Sequence, residues 1–170
     1  MGFLWSKPID RELKESLIEN EPQIFFRTGD ILLAEASEME ISLNSDIWAH
    51  VAIIVKSQEI LLAYSDGEFV AVEDWIYRYN RVVVRHCNCA RPVWFDRAVL
   101  DAANGTAEIL IRNEMNIDAR EGFCVASVML QLGLVSEEGL SDGPVRPDHF
   151  SGSTPFDRLK ITEYSENYLI

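Results

Sequence analysis

The chain is short of basic residues, short of thiols and without any long apolar run, and each scarcity closes off a class of protein. Its 15 Lys and Arg stand against 28 Asp and Glu, a formal charge of −13. No basic patch is therefore available to neutralise phosphates, and no nucleic-acid partner is expected. No apolar stretch approaches the ~18–20 residues that a bilayer span requires, and the N-terminus lacks the basic-then-apolar layout of a secretory signal. A cytoplasmic, intracellular protein is the expectation. Three cysteines in 170 residues are too few for a disulfide scaffold, which suits a reducing compartment. No internal repeat or low-complexity tract is visible, so the negative charge marks solvated faces and not one acidic tail.

What is present is enough apolar material, 48% of residues, for one full core. DRELKESLIE (10–19) reads as a short amphipathic helix capped by Asp10 and ended by Pro22, making residues 1–25 an N-terminal extension to a domain spanning 26–170. The opening MGFLWS fits a Met-Gly-x-x-x-Ser myristoylation pattern at Gly2, yet Phe3 is poorly suited to it, and one acyl chain gives only marginal membrane binding. Membrane association is thus a weakly supported partner class, and an apolar tip docked on the fold the favoured reading. Five strands follow at 28–35, 48–56, 59–66, 68–74 and 81–87, rich in Val, Ile and Leu, with connections at 57–58 and 67 too short for crossover helices. The polar segment 34–46 is read as a loop near a site. Helical periodicity then runs from Asp96 to Leu110, and 123–135 is apolar nearly all round, as a central helix should be. A Gly- and Pro-rich stretch precedes a last strand near 158–164. The expected architecture is α+β, a single compact domain with an antiparallel sheet packed against the helix that bears Cys124.

The segment WAHVAII (48–54) sets His50 in an otherwise apolar strand, where an imidazole needs partners for both nitrogens. Cys124, in EGFCVASVM, is read within the first turn of its helix, where unpaired N–H groups and the helix dipole favour a thiolate and could hold an oxyanion. A thiol so placed needs a base, and His50 is the histidine without an evident structural reason: His86 ends a strand and His149 lies in a Pro-Asp loop. The cluster RHCNC (85–89) offers His86, Cys87 and Cys89, but a C-x-C spacing without a second half does not make a zinc site. These two thiols are read as small hydrophobes. No metal and no cofactor is expected.

Four motifs in order, GDILL (29–33), AHVAII (49–54), CVASVMLQLGL (124–134) and RPDHFSGS (146–153), resemble the circularly permuted NlpC-type papain-like superfamily. Within it they are most similar to the YiiX-like group that includes poxvirus members, and more distantly to lecithin:retinol acyltransferase. The resemblance covers roughly residues 26–155 and implies a permuted papain-like fold with Cys124 as nucleophile and His50 as base. It also implies a cysteine hydrolase or acyltransferase acting on an amide, peptide-like, or a lipid acyl ester through an acyl-enzyme. Two positions depart from the pattern. Val125 stands where Ser or Thr usually follows the nucleophile, and Leu62 or Ala63 stands where a Glu usually orients the imidazole.

Pairing 48–56 with 59–66 puts residue 65 opposite His50, or Asp66 if the turn holds one more residue, so Asp66 is the candidate orienter. The competing reading is that Asp66-Gly67 only forms a hairpin turn. Glu59 lies at the wrong end of that hairpin. Asp30, in the Gly-Asp pair, is read as a brace for the first strand. Trp48 is read on the face of His50, as a wall of a substrate pocket or as core packing. The alternative function is a catalytically degenerate member, a lipid- or peptide-binding, structural or virion-associated protein. Partners on either reading are a small molecule, lipid or peptide.

Overall fold

The computed structural model describes residues 25–35, 48–112, 117–140, 144–152, 159 and 164–170. The expected helix at 10–19, Gly2 and most of the 34–46 loop lie outside the described residues. Six strands, β1 (Ile31–Glu35), β2 (Trp48–Ser57), β3 (Ile60–Ser65), β4 (Glu68–Ala71), β5 (Val82–Cys87) and β6 (Tyr164–Leu169), form one sheet in the order β4-β3-β2-β1-β5-β6. Every neighbouring pair is antiparallel. The helices are α1 (Val72–Tyr77), α2 (Phe95–Arg112), α3 (Ile117–Gln131) and α4 (Glu137–Leu140), with a 3-10 turn at Pro147–Phe150. The α+β architecture read from the sequence is the one observed.

Strand alternation divides the core into two layers. Val51, Ile53 and Val55 of β2 meet α2 and α3, and Cys124 belongs to this layer. Ala52 and Ile54 point the other way, onto Trp75 and Ile76 of α1. Both sides of β1 and β2 are therefore covered, which is why their fully buried segments, Ile31–Ala34 and Val51–Val55, are apolar throughout.

Four boundaries differ from the sequence reading. Strand β4 stops at Ala71 because Val72, Trp75 and Ile76 repeat at i, i+3, i+4, a helical face that buries all three. Helix α3 starts at Ile117, six residues earlier than expected. Ala119, Arg120 and Glu121 are good helix formers, and the ~1 kcal/mol penalty of Gly122 is overridden by close packing: a Cβ there would lie 1.8 Å from the carbonyl oxygen of Val145. The same helix ends earlier, since Gly133 at φ +73 closes it. The amide of Leu134 donates to Met129 O and that of Gly133 to Leu130 O, a Schellman pair. The last strand, expected at 158–164, is Tyr164–Leu169, an edge strand on β5.

Candidate functional site

The β2–β3 connection uses two residues, Gln58 and Glu59, both at positive φ, and pairs Ile53 with Tyr64. That register runs one residue past the one that would set Asp66 opposite His50. β3 in any case ends at Ser65, where Asp66 (φ 52) and Gly67 (φ 76) make the next hairpin turn. Asp66 faces Arg120 in a two-nitrogen ion pair. Its assignment as the orienter of His50 is thus corrected: the carboxylate is held by α3 and the hairpin-turn reading is the one observed.

The group on His50 is Glu121. Its Oε1 lies 3.2 Å from His50 Nδ1, and its Oε2 accepts the backbone N–H of Val51 at 3.2 Å. The hydroxyl of Ser65 caps the carbonyl of the same Val51 at 2.7 Å. β3 ends there, so a side chain from α3 and one from the last residue of β3 finish the ladder that the strand leaves open. A carboxylate can only accept, so it takes the Nδ1 proton and makes Nε2 the basic nitrogen of a neutral ring. The ring stacks on Tyr79, centroids 4.4 Å apart. Beside it a cavity of about 70 Å³ is lined by Ser65, Asp66, Glu68, Arg78, Tyr79 and Glu121, among others.

Glu121 escapes the sequence reading because the apolar run that marks the helix begins only at Phe123. A helix begun at Ile117 would have set Glu121 and Cys124 one turn apart on one side, and an ionisable residue at that spacing from a candidate nucleophile is a readable signal.

Cys124 is fully buried and lies two turns inside α3, not in the first turn. The dipole and unpaired amides of a helix start do not act on it, which corrects that part of the expectation. Burial raises its thiol above the ordinary range, opposed by the Tyr64 hydroxyl and the amides of Gly67 and Asp66. Tyr64 is itself raised by burial and by the sulfur. Its hydroxyl lies against the sulfur but off the line of a good hydrogen bond, a buried oxygen without a geometric partner. The groups that act most on the sulfur belong to the Ser65–Glu68 turn and Tyr64, and His50 is not among them. Alternation sends His50 to the α1 side of the sheet, whereas Cys124 packs on the α3 side. The structure thus brings His50 and Cys124 to the same helix turn through Glu121, without side-chain contact between them.

Trp48 does not share the face of His50. The register shifts between Ala34 and Glu35, so that Ala34 faces His50 while Glu35 faces Trp48. Ala49 is the extra residue of a bulge, and Trp48 turns onto the layer of Cys124. Its backbone N–H donates to Asp148 Oδ1 at 2.8 Å. It packs, half-buried, against the core layer that holds Cys124.

Asp30 is the brace expected of it. Its Oδ2 accepts from the Arg27 N–H at 2.9 Å and meets His86 Nδ1 at 3.0 Å. Its Oδ1 accepts from the Cys87 N–H at 2.8 Å and from Arg91 Nη2 at 3.1 Å.

No protein-family profile matches the chain, and no curated protein matches its sequence. Among solved structures, the crystal structure of the metalloprotein YiiX from Escherichia coli O157:H7 (DUF1105) is similar, with a TM-score of 0.51 and 12% identity over 85% of this chain and 96% of that one. The likeness is one of fold. Among the described residues, no group of three or more His, Cys, Asp or Glu side chains is placed to hold a metal ion.

Proposed function

We propose that the chain is a cysteine hydrolase or acyltransferase of the permuted papain-like kind, with Cys124 as nucleophile, His50 as base and Glu121 as the residue that orients it. The observation that carries this reading is the Glu121 carboxylate on His50 Nδ1, one helical turn before Cys124. It supplies the third group whose usual position holds Leu62 or Ala63, and it aims the imidazole from the helix that bears the thiol. On this reading the described arrangement is a resting one. The thiol is protonated and covered by the Ser65–Glu68 turn, and turnover requires both that this turn lift and that the end of β2 rearrange to carry the ring from the α1 side of the sheet to the sulfur. His50 Nε2 then takes the Cys124 proton as the thiolate adds to an amide or ester carbonyl. The imidazolium returns the proton to the leaving amine or alcohol, and water or a second acceptor releases the acyl group.

A second reading, a degenerate member that binds a lipid or peptide without turnover, is favoured by one specific observation, the complete burial of the Cys124 sulfur. A paired panel of peptide and lipid-ester substrates, run with wild type, Cys124→Ser, His50→Ala and Glu121→Gln, separates the two. Turnover of one class, abolished by the first two variants and lowered by the third, supports the enzyme. Binding without turnover, unchanged in Cys124→Ser, supports the second reading. Activity retained in Cys124→Ser sinks the first.

A further inference from the structure

Two thiols take no part in this site. Cys87 closes β5, and Cys89 follows it at a bend in the chain. Residues two apart in a strand share a face, and the bend folds the second over the first, leaving the sulfurs 2.7 Å apart. A pair of thiolates sharing a tetrahedral zinc at ~2.3 Å bonds would stand roughly 3.7 Å apart. The observed spacing is too close to admit a metal between them and is much nearer that of a covalent bond, at ~2.05 Å.

The backbone around the pair is fixed independently of the thiols. The Cys87 N–H is held by Asp30, and Arg91, two residues beyond Cys89, donates to Asp30 and to the carbonyl of Thr28. Access is asymmetric: Cys87 is buried and Cys89 is partly exposed. An oxidant from solution meets Cys89 first, and Cys87 waits beside it.

We propose that Cys87 and Cys89 form a dithiol oxidation site, closed to an intramolecular disulfide by a small disulfide oxidant such as oxidised glutathione. The Cys89 thiolate attacks one sulfur of the oxidant and expels one glutathione thiolate, which takes up a proton. Cys87 then loses its proton and attacks the Cys89 sulfur of the mixed disulfide, expelling the second glutathione. Two electrons and two protons leave the protein, and one oxidised glutathione becomes two reduced ones. Burial and the neighbouring Cys87 push the Cys89 thiol up to about 12, against the pull of Arg91. Closure therefore quickens as pH rises and the thiolate fraction grows.

The full-length chain is equilibrated in glutathione redox buffers, quenched in acid, alkylated and mapped by mass spectrometry, natively and in denaturant. The expected product lacks two hydrogens, pairs Cys87 with Cys89, leaves Cys124 reduced, and forms at a more reducing glutathione ratio in the folded chain than in the unfolded one. Cys87→Ser is expected to stop at a glutathione adduct on Cys89. A wild type that itself stops at that adduct, a bond to Cys124, or the same midpoint in folded and unfolded chains overturns the proposal. Cys124 enters none of the expected products, so these outcomes are independent of those of the substrate panel.

Discussion

Among the described residues, His86 meets Asp30 and His50 meets Glu121, with similar distances of 3.0 and 3.2 Å and similar histidine exposures of 25% and 22%. Their carboxylates are not alike. Asp30 has no exposed surface and is engaged by four donors from Arg27, His86, Cys87 and Arg91. Each of its oxygens takes two of them. Glu121 keeps 16% exposure, accepts one backbone N–H and one ring nitrogen, and borders a cavity. A carboxylate that closes every bond it can make is a joint, and its histidine is one strut among four. A carboxylate with capacity and solvent to spare can follow a changing charge on its partner.

The sharpest way to break this comparison is to remove each acid in turn. Asp30→Ala leaves the Arg91 guanidinium, the His86 ring and two backbone N–H groups without their acceptor and is expected to cost about 3–5 kcal/mol in a denaturant titration. A loss below about 1 kcal/mol would show Asp30 to be no brace. Glu121→Gln is expected to lower kcat/KM about 100-fold, roughly 2.7 kcal/mol of transition-state stabilisation, while stability falls by about 1 kcal/mol or less. Equal damage to folding from both variants would erase the distinction between them.

The third test uses pH. Cys124 and Tyr64 have folded-state values raised by burial, and Cys89 is raised to about 12 from 9.0. Above about pH 9 the unfolded chain releases these protons while the folded chain keeps them, so the folded state binds more protons and stability falls as pH rises. The contribution is whole below pH 9 and is lost upward from there. Thermal midpoints recorded from pH 7 to 11 should decline above 9, with a shallower slope in Cys89→Ser; a flat profile would contradict the burial of these thiols. The smallest effect belongs to Asp66→Asn. It removes a partly exposed ion pair with Arg120 from a residue type that tolerates the left-handed turn, so a change under about 1 kcal/mol and unaltered kcat/KM are expected. A large activity loss there, with Glu121→Gln silent, would return the orienting role to Asp66.

The strands and the antiparallel sheet were legible because Val, Ile and Leu runs separated by two-residue turns leave little other choice. The site was legible in part. His50 stood out as polarity in an apolar strand, but its partner depends on where β3 stops and α3 begins, and neither was fixed locally. Gln58 and Glu59 take positive φ without glycine, so no residue announced the register that removes Asp66 from consideration. Glu121 is hidden because it lies in the polar stretch ahead of the apolar run that marks the helix, and the helix continues through Gly122, which is a packing contact. The bulge at Ala49, which parts Trp48 from His50, has no marker in a strand where alanine fits either face.

Gly122 sets where Glu121 and Cys124 stand. The main chain of α3 rests at that residue directly on the main chain of Val145, so the placement of both side chains rests on backbone against backbone, a seat with a tolerance smaller than one methyl group. A side chain at position 122, or a movement of the strip that carries Val145, shifts the carboxylate and the thiol together.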